Sequence, residues 1–187
     1  MHVFLRTDRL LLRRFTPADV DLVVALDRDP GVMRYISGEP PTTPEEARDE
    51  IIPAWLAYYD RSPSFGFWAA HEHPGGAFVG WFHFRPSPDR PDAGVELGYR
   101  LHRSAWGHGY ATELSRALIH KGFTEWGVDR VYAETMSVNT ASRRVMEKAG
   151  LRHVRTFHHP WPHPLPGNDQ GDVEYALTRE EWLSQRT

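Results

Sequence analysis

The sequence predicts an α/β (α+β) protein, built on a mixed sheet with helices on both faces. Three observations carry that prediction. Runs of strand length, rich in aromatic and β-branched residues, recur from residue 3 to residue 177, and segments with helical start and stop signals fall between them. Residues 93–138 read strand, helix, strand, which favours a parallel pair joined by a right-handed crossover. A turn signal just before them marks an antiparallel hairpin.

Residues 3–15 alternate loosely and include Leu10, Leu11 and Leu12, so they read as the first strand, with a turn near Asp8. Thr16 then caps a helix, with Pro17 at its first position and Asp19 in its first turn. Thr43, Pro44, Glu45 and Glu46 repeat that grammar and add the reciprocal threonine–glutamate capping box, while Pro53 should kink or divide the helix that follows. Residues 64–72 and 77–85 are strands separated by His73-Pro74-Gly75-Gly76. Residues 93–102 add a strand, and 109–126 a helix with apolar Ala111, Leu114, Leu118, Ile119, Phe123 and Trp126, stopped by Gly127. A strand at 130–138, a short helix at 140–149 ended by Gly150, strands at 151–157 and 173–177, and a helix capped at Thr178 complete the chain. The sum is seven strands.

The 187 residues suit one domain, residues 1–187, since neither a repeat nor a long polar linker divides them. With no cysteine, the chain has no disulfide, thiolate metal site or cysteine nucleophile. Twenty-two Lys and Arg against twenty-five Asp and Glu, well mixed, argue against a nucleic-acid footprint and a polybasic membrane anchor. No apolar run approaches the ~18 residues that span a bilayer, and the charged start does not read as a signal peptide, so a cytoplasmic location is expected. Surpluses of Trp, Pro and His stand out, with four His and four Pro inside residues 153–166.

The most informative segment joins a strand to a helix: Arg103-Ser104-Ala105-Trp106-Gly107-His108-Gly109-Tyr110-Ala111-Thr112. Two glycines let the backbone bend closely, and the free N–H groups of a first helical turn attract an anion such as a pyrophosphate. A plain flexible turn is the competing reading. No Lys-Ser or Lys-Thr follows for a P-loop, and the third glycine of a dinucleotide fingerprint is missing.

Glu96-Leu97-Gly98-Tyr99-Arg100-Leu101, then Trp106-Gly107-His108-Gly109-Tyr110-Ala111-Thr112-Glu113, then Asn139-Thr140-Ala141-Ser142-Arg143-Arg144-Val145-Met146 through Leu151 resemble the GNAT superfamily of acetyl-CoA-dependent N-acetyltransferases. Within it, the chain most resembles the branch with the ribosomal-protein N-terminal alanine and serine acetyltransferases. The resemblance implies a mostly antiparallel sheet with a splayed central parallel pair, acetyl-CoA as donor, an amine acceptor, no metal, and a homodimer. It places pantetheine on backbone near Tyr99 and Leu101, and pyrophosphate on amides from Gly107 through His108, Gly109, Tyr110 and Ala111 to Thr112. The family's general loop has Gln or Arg where Trp106 stands, a departure that leaves the backbone cradle intact.

Asn139 suits the cap of the short helix, and the resemblance adds a bond to pantetheine. Ser142 reads either as a solvated hydroxyl or, as the resemblance implies, as proton donor to the leaving thiolate. Many relatives use a Tyr at the position of Met146, whose thioether cannot donate; water or Tyr175 are the alternatives for Ser142. A backbone amide near Tyr99 would hold the developing oxyanion. Glu96 is the leading general base and also reads as a solvated or paired strand carboxylate. His83 is the alternative base and also reads as a partly buried core histidine, on the same strand face as Trp81 and opposite Phe82 and Phe84; Tyr35, Trp81, His83, Trp161 and Tyr175 are the residues expected to bind the acceptor.

His158, His159 and His163 match no zinc spacing, so the histidine- and proline-rich loop reads instead as a stiff wall carrying Trp161 beside the acceptor. Tyr35, Trp55 and Tyr58 supply the opposite wall or belong to the core. The expected activity is direct acetyl transfer from acetyl-CoA to a primary amine, of a protein N-terminus or a small molecule. The competing reading is a catalytically silent acyl-CoA sensor of the same fold.

Overall fold

The structure is a computed structural model that describes residues 3–158, 160 and 163–185. It contains eight strands among those residues: β1 (Val3–Arg6), β2 (Leu10–Arg14), β3 (Gly66–Glu72), β4 (Phe78–Ser87), β5 (Arg90–Leu101), β6 (Arg130–Met136), β7 (Arg152–Phe157) and β8 (Asp172–Thr178). They are mostly antiparallel with one parallel pair, the expected mixed architecture, but the strand count corrects the seven expected from sequence. The expected first strand is a hairpin, β1 turning back on β2 with Leu5 opposite Leu12 and Arg6 opposite Leu11. Thr7 closes the turn: its N–H donates to the Leu10 carbonyl at 2.9 Å, and its Oγ1 accepts from Leu10 N at 3.1 Å.

The chain forms two compact units, the first from Met1–Phe84 with Tyr99–Tyr110, the second from Arg85–Gly98 with Ala111–Thr187. In the first, β1, β2, β3 and β4 follow one another as antiparallel neighbours, with helices α1 (Val20–Asp27), α2 (Pro30–Met33), α3 (Pro44–Glu46) and α4 (Ile52–Arg61). The register Phe67↔His83 and Ala69↔Trp81 sets these four residues on one face. Phe15, Val23, Leu26 and Ile52 pack with Phe67, Ala69 and Trp81 in one buried core. On the other face Trp68 stacks on Phe4 and Phe82 tilts against Tyr99, centroids 4.0 and 5.6 Å apart.

The threonine–glutamate box forms at Thr43, and at Thr16 the Asp19 side chain reaches back to the cap residue. The Asp19 carboxylate accepts from Thr16 N at 2.7 Å and is gripped by both Arg13 Nη atoms at 2.7 and 2.8 Å. Burial pushes the Asp19 carboxyl up, but the Arg13 and Thr16 hydrogen bonds outweigh it and hold it below its ordinary value. Pro53 divides its helix through a π turn at Ala47–Ile51, where Ile52 N bonds to Ala47 O five residues back. The extra residue per turn accommodates a ring that would otherwise crowd the carbonyl four residues earlier.

In the second unit β5 pairs parallel with β6, and β6, β8 and β7 follow as antiparallel neighbours. The strands come so close at the start of the parallel pair that a Cβ on Gly94, at φ +95°, would stand 2.4 Å from the Arg130 carbonyl oxygen. Helix α5 (Tyr110–Glu125) buries Leu114, Leu118, Ile119 and Phe123, the expected stripe, and α6 (Thr140–Lys148) and α7 (Arg179–Ser184) complete the unit. Phe123 packs on Trp182 of α7, centroids 5.5 Å apart. Glu174 of β8 is almost fully buried among Arg90, Arg130 and Arg155, whose nitrogens lie 2.9, 2.7 and 2.8 Å from its oxygens.

Candidate active site

The glycine loop leaves β5 in a short 3-10 turn, Arg103–Ala105, and enters α5 at Tyr110. Gly107 and Gly109 have φ of +78° and +79°, a region side chains rarely adopt, so these two positions require glycine for conformation. Space is not the constraint: among the described residues nothing lies within 4 Å of a Cβ built at Gly107. The two left-handed glycines thus lead the chain directly into a sixteen-residue helix, the backbone arrangement that suits an anionic diphosphate.

Trp106 explains its own departure from the family's general loop. Its indole Nε1 donates to the Leu101 carbonyl at 2.9 Å, bracing the loop across its base while the ring stays 49% exposed. The His108 ring bonds through Nδ1 to the Trp106 carbonyl at 2.9 Å and stacks on Tyr110. One residue absent from the sequence reading joins them. Arg9, at the start of the β2 hairpin arm, donates Nη1 to the His108 carbonyl at 3.0 Å and sets its guanidinium over the Tyr110 ring. The Tyr110 hydroxyl donates to Glu72 at 2.9 Å. No local signal announces a contact that spans 99 residues.

The aromatic face of the first unit gathers two of the expected acceptor residues. Trp81 is buried, with its ring 5.3 Å from Trp55 and 5.9 Å from His83, and Phe67 lies edge-on to His83. The Arg100 guanidinium lies over Trp81 and bonds Asp27, which also accepts from Thr42 at 2.8 Å. Trp55 and Tyr58, both half-buried, pack against this core. Tyr35, half-buried after α2, carries the Arg34 guanidinium over its ring instead and is not part of this cluster.

The remaining candidates belong to the second unit. Glu96, on β5 opposite Tyr132 in the parallel register, lies 3.3 Å from an Arg85 nitrogen. Burial raises its carboxyl above the usual glutamate value, with Arg85 and Arg90 pulling the other way. Asn139 caps α6, accepting from Ser142 N at 3.2 Å while its amide donates to Thr135 at 3.0 Å. Ser142 is half-buried in the first turn, and Met146 is fully buried. Ala111 and Thr112 begin α5 beyond the glycines. The buried Tyr175 hydroxyl accepts from Arg143 Nε at 3.2 Å and donates to Glu147 at 3.0 Å, so it ties β8 to α6. Trp161 and His159 lie outside the described residues. Among the described residues no three His, Asp or Glu side chains gather to hold a metal, and no helix is long and apolar enough to cross a membrane.

Comparison with known proteins gives the fold its context. A model of the acetyltransferase (GNAT) domain matches residues 9–152. The FsC-acetyl coenzyme A-N(2)-transacetylase of Aspergillus fumigatus is 38% identical over 187 residues, spanning 96% of this chain and 77% of that protein. A GNAT-family acetyltransferase structure from Bacillus anthracis superposes with a TM-score of 0.74 at 28% identity, over 96% of this chain and 99% of the other. RimL, a ribosomal L7/L12 alpha-N-protein acetyltransferase solved with coenzyme A, shares the fold at a TM-score of 0.77 and 18% identity, over 95% and 98% of the two chains. The glycine loop lies inside the matched region, and the chain belongs to the GNAT acetyltransferase family, as an acyltransferase that uses acetyl-CoA.

Proposed function

We propose that the protein acetylates a primary amine of a small molecule, by direct transfer without an acetyl-enzyme. The observation that carries the acceptor reading is 38% identity, along nearly the whole chain, to a relative named for acetylation at an N(2) nitrogen. A peptide N-terminus stays in the test panel because the loop and Asn139–Leu151 motifs resemble the ribosomal-protein branch, and the homodimer that the resemblance implies is tested by sedimentation.

In this reading the diphosphate rests on amides of Gly107 to Thr112, supported by the positive φ at both glycines, and pantetheine runs along the backbone near Tyr99 and Leu101 with Asn139 as a further partner. Bound acetyl-CoA supplies a thioester whose carbonyl carbon takes the amine lone pair as the carbon–sulfur bond breaks. A backbone amide near Tyr99 stabilises the developing negative oxygen, an effect of roughly 3 kcal/mol in comparable oxyanion sites. Glu96 takes a proton from the ammonium form, directly or through water, for roughly 10²–10⁴-fold. Its raised pKa supports the assignment, since a base works best when its pKa approaches the working pH. Ser142 protonates the departing thiolate and regains, directly or through water, the proton that the attacking nitrogen sheds as the amide forms. Tyr175, its hydroxyl engaged by Arg143 and Glu147, is assigned to holding α6 in place. Trp81 and His83 supply the acceptor wall.

Thiol release with acetyl-CoA and a panel of small-molecule amines and N-terminal peptides tests the reading. Turnover of N(2)-type amines is expected, and turnover of peptides alone would overturn the acceptor class. Glu96→Gln should lower kcat about 10²-fold or more. The acid limb of the wild-type profile should lie above the ordinary glutamate range, because activity falls as Glu96 gains a proton. Removing Arg85, which favours the charged carboxylate, should move that limb to still higher pH.

A further inference from the structure

We propose that Arg9 is a diphosphate-binding residue, adding a guanidinium to the backbone amides of the glycine loop. The first hairpin delivers it there. The Thr7 turn sets the start of β2, and the Arg9 carbonyl accepts from His73 N at 2.7 Å, so the backbone at Arg9 is anchored at the end of β3. The register Leu10↔Glu72 then aligns two side chains that both reach the loop: Arg9 to the His108 carbonyl and Glu72 to the Tyr110 hydroxyl.

The guanidinium does more than touch one carbonyl. Arg9 Nη2 lies 3.6 Å from the point where a Cβ on Gly109 would project, so it stands on the side to which that glycine would direct a side chain. Arg9, His108 and Gly109 are all exposed, so an anion can reach them, and the Tyr110 ring beneath the guanidinium holds it in place. A guanidinium carries five N–H donors in a planar fork, enough to serve a carbonyl and a phosphate oxygen together. In the first unit, Arg9 and the loop thus combine a fixed cation with amides already suited to an anion.

The inference rests on the reading of the loop as the diphosphate cradle, and calorimetry on the full chain separates the two. The ligands are CoA, dephospho-CoA, which keeps the diphosphate but lacks the 3′-phosphate, and pantetheine, which lacks both. Arg9→Ala should weaken CoA and dephospho-CoA by the same factor, about fivefold or more, and leave pantetheine unchanged. Arg9→Gln, which keeps a donor for the His108 carbonyl but carries no charge, should give the same pattern and serves where Arg9→Ala fails to fold. Equal weakening of pantetheine would mean that Arg9 merely braces the loop, and weakening of CoA alone would place the contact at the 3′-phosphate. Either result, or unchanged affinities, overturns the proposal. If Gly109→Val leaves CoA affinity intact, the loop reading itself fails; if it abolishes binding while Arg9→Ala does not, only the role of Arg9 falls.

Discussion

One face of β3 and β4 in the first unit and the strands β5 to β8 of the second are stabilised in opposite ways. The first presents Phe67, Ala69, Trp81 and His83 to Phe15, Trp55 and the helices, with the Phe67 ring centroid 4.8 Å from Trp55 and 5.3 Å from His83. The second gathers Arg90, Arg130, Arg155 and Glu134 around one carboxylate, Glu174. Apolar packing is non-directional, so it loses energy in proportion to the atoms removed. A shared buried charge behaves otherwise, because deleting one partner leaves the others uncompensated.

Glu174→Gln is therefore the largest perturbation expected, costing about 3–5 kcal/mol in denaturant unfolding. Its pH dependence checks the cause. Burial alone would push the Glu174 carboxyl up, but hydrogen bonds from Arg130, Arg90 and Arg155 bring it down from 4.5 to about 2. A carboxyl depressed on folding contributes stability above its unfolded value and loses it as pH falls through the folded one. The gap between wild type and variant should accordingly narrow between pH 4.5 and about 2. A gap constant through that window would show that lost packing, and not charge, sets the cost.

Phe67→Leu probes the aromatic side. The ring stacks on Trp55 at 4.8 Å and meets Tyr58 and Trp81, so the variant loses both volume and ring pairing, about 2 kcal/mol together. The loss should be the same at about 0.1 and about 1 M salt, since no charge is removed. A strong salt dependence would blur the contrast between the units.

The same contrast explains what could be read in the sequence. Helix starts were legible because Thr43 and Thr178 accept from N–H groups three residues on, while at Thr16 the Asp19 carboxylate reaches back to the threonine, and the strand faces because alternation sets Trp81 against Phe82. The glycine loop was legible as a turn whose backbone needs freedom at Gly107 and Gly109. The Glu174 cluster was not, since it draws on residues 90, 130, 155 and 174 and exists only once the register of four strands is set. Arg9 escaped for the same reason, its partner lying 99 residues on. The turn near Asp8 is legible in the sequence, but Thr7 closes it with no glycine or proline, so nothing marks the two arms of the first hairpin as separate strands.

The smallest effects refine the comparison at two helix starts with the same residue pattern. In the first unit Glu46 N donates to Thr43 Oγ1 at 3.1 Å, but the reciprocal bond from Thr43 N to Glu46 is 3.5 Å and solvent-exposed. In the second, Thr178 N reaches Glu181 at 2.9 Å and the Thr178 hydroxyl donates to the same carboxylate at 3.1 Å. The Thr178 backbone bond leads the causes that hold the Glu181 carboxyl below its ordinary value, so this carboxylate is engaged in its charged form. Thr178→Ala removes a hydroxyl that both accepts and donates and should cost about 1 kcal/mol, whereas Thr43→Ala removes an acceptor alone and should cost about 0.5 kcal/mol. Equal costs in urea unfolding would mean that the N-cap acceptor carries the whole effect, and that the tighter reciprocal bond of the second unit contributes nothing.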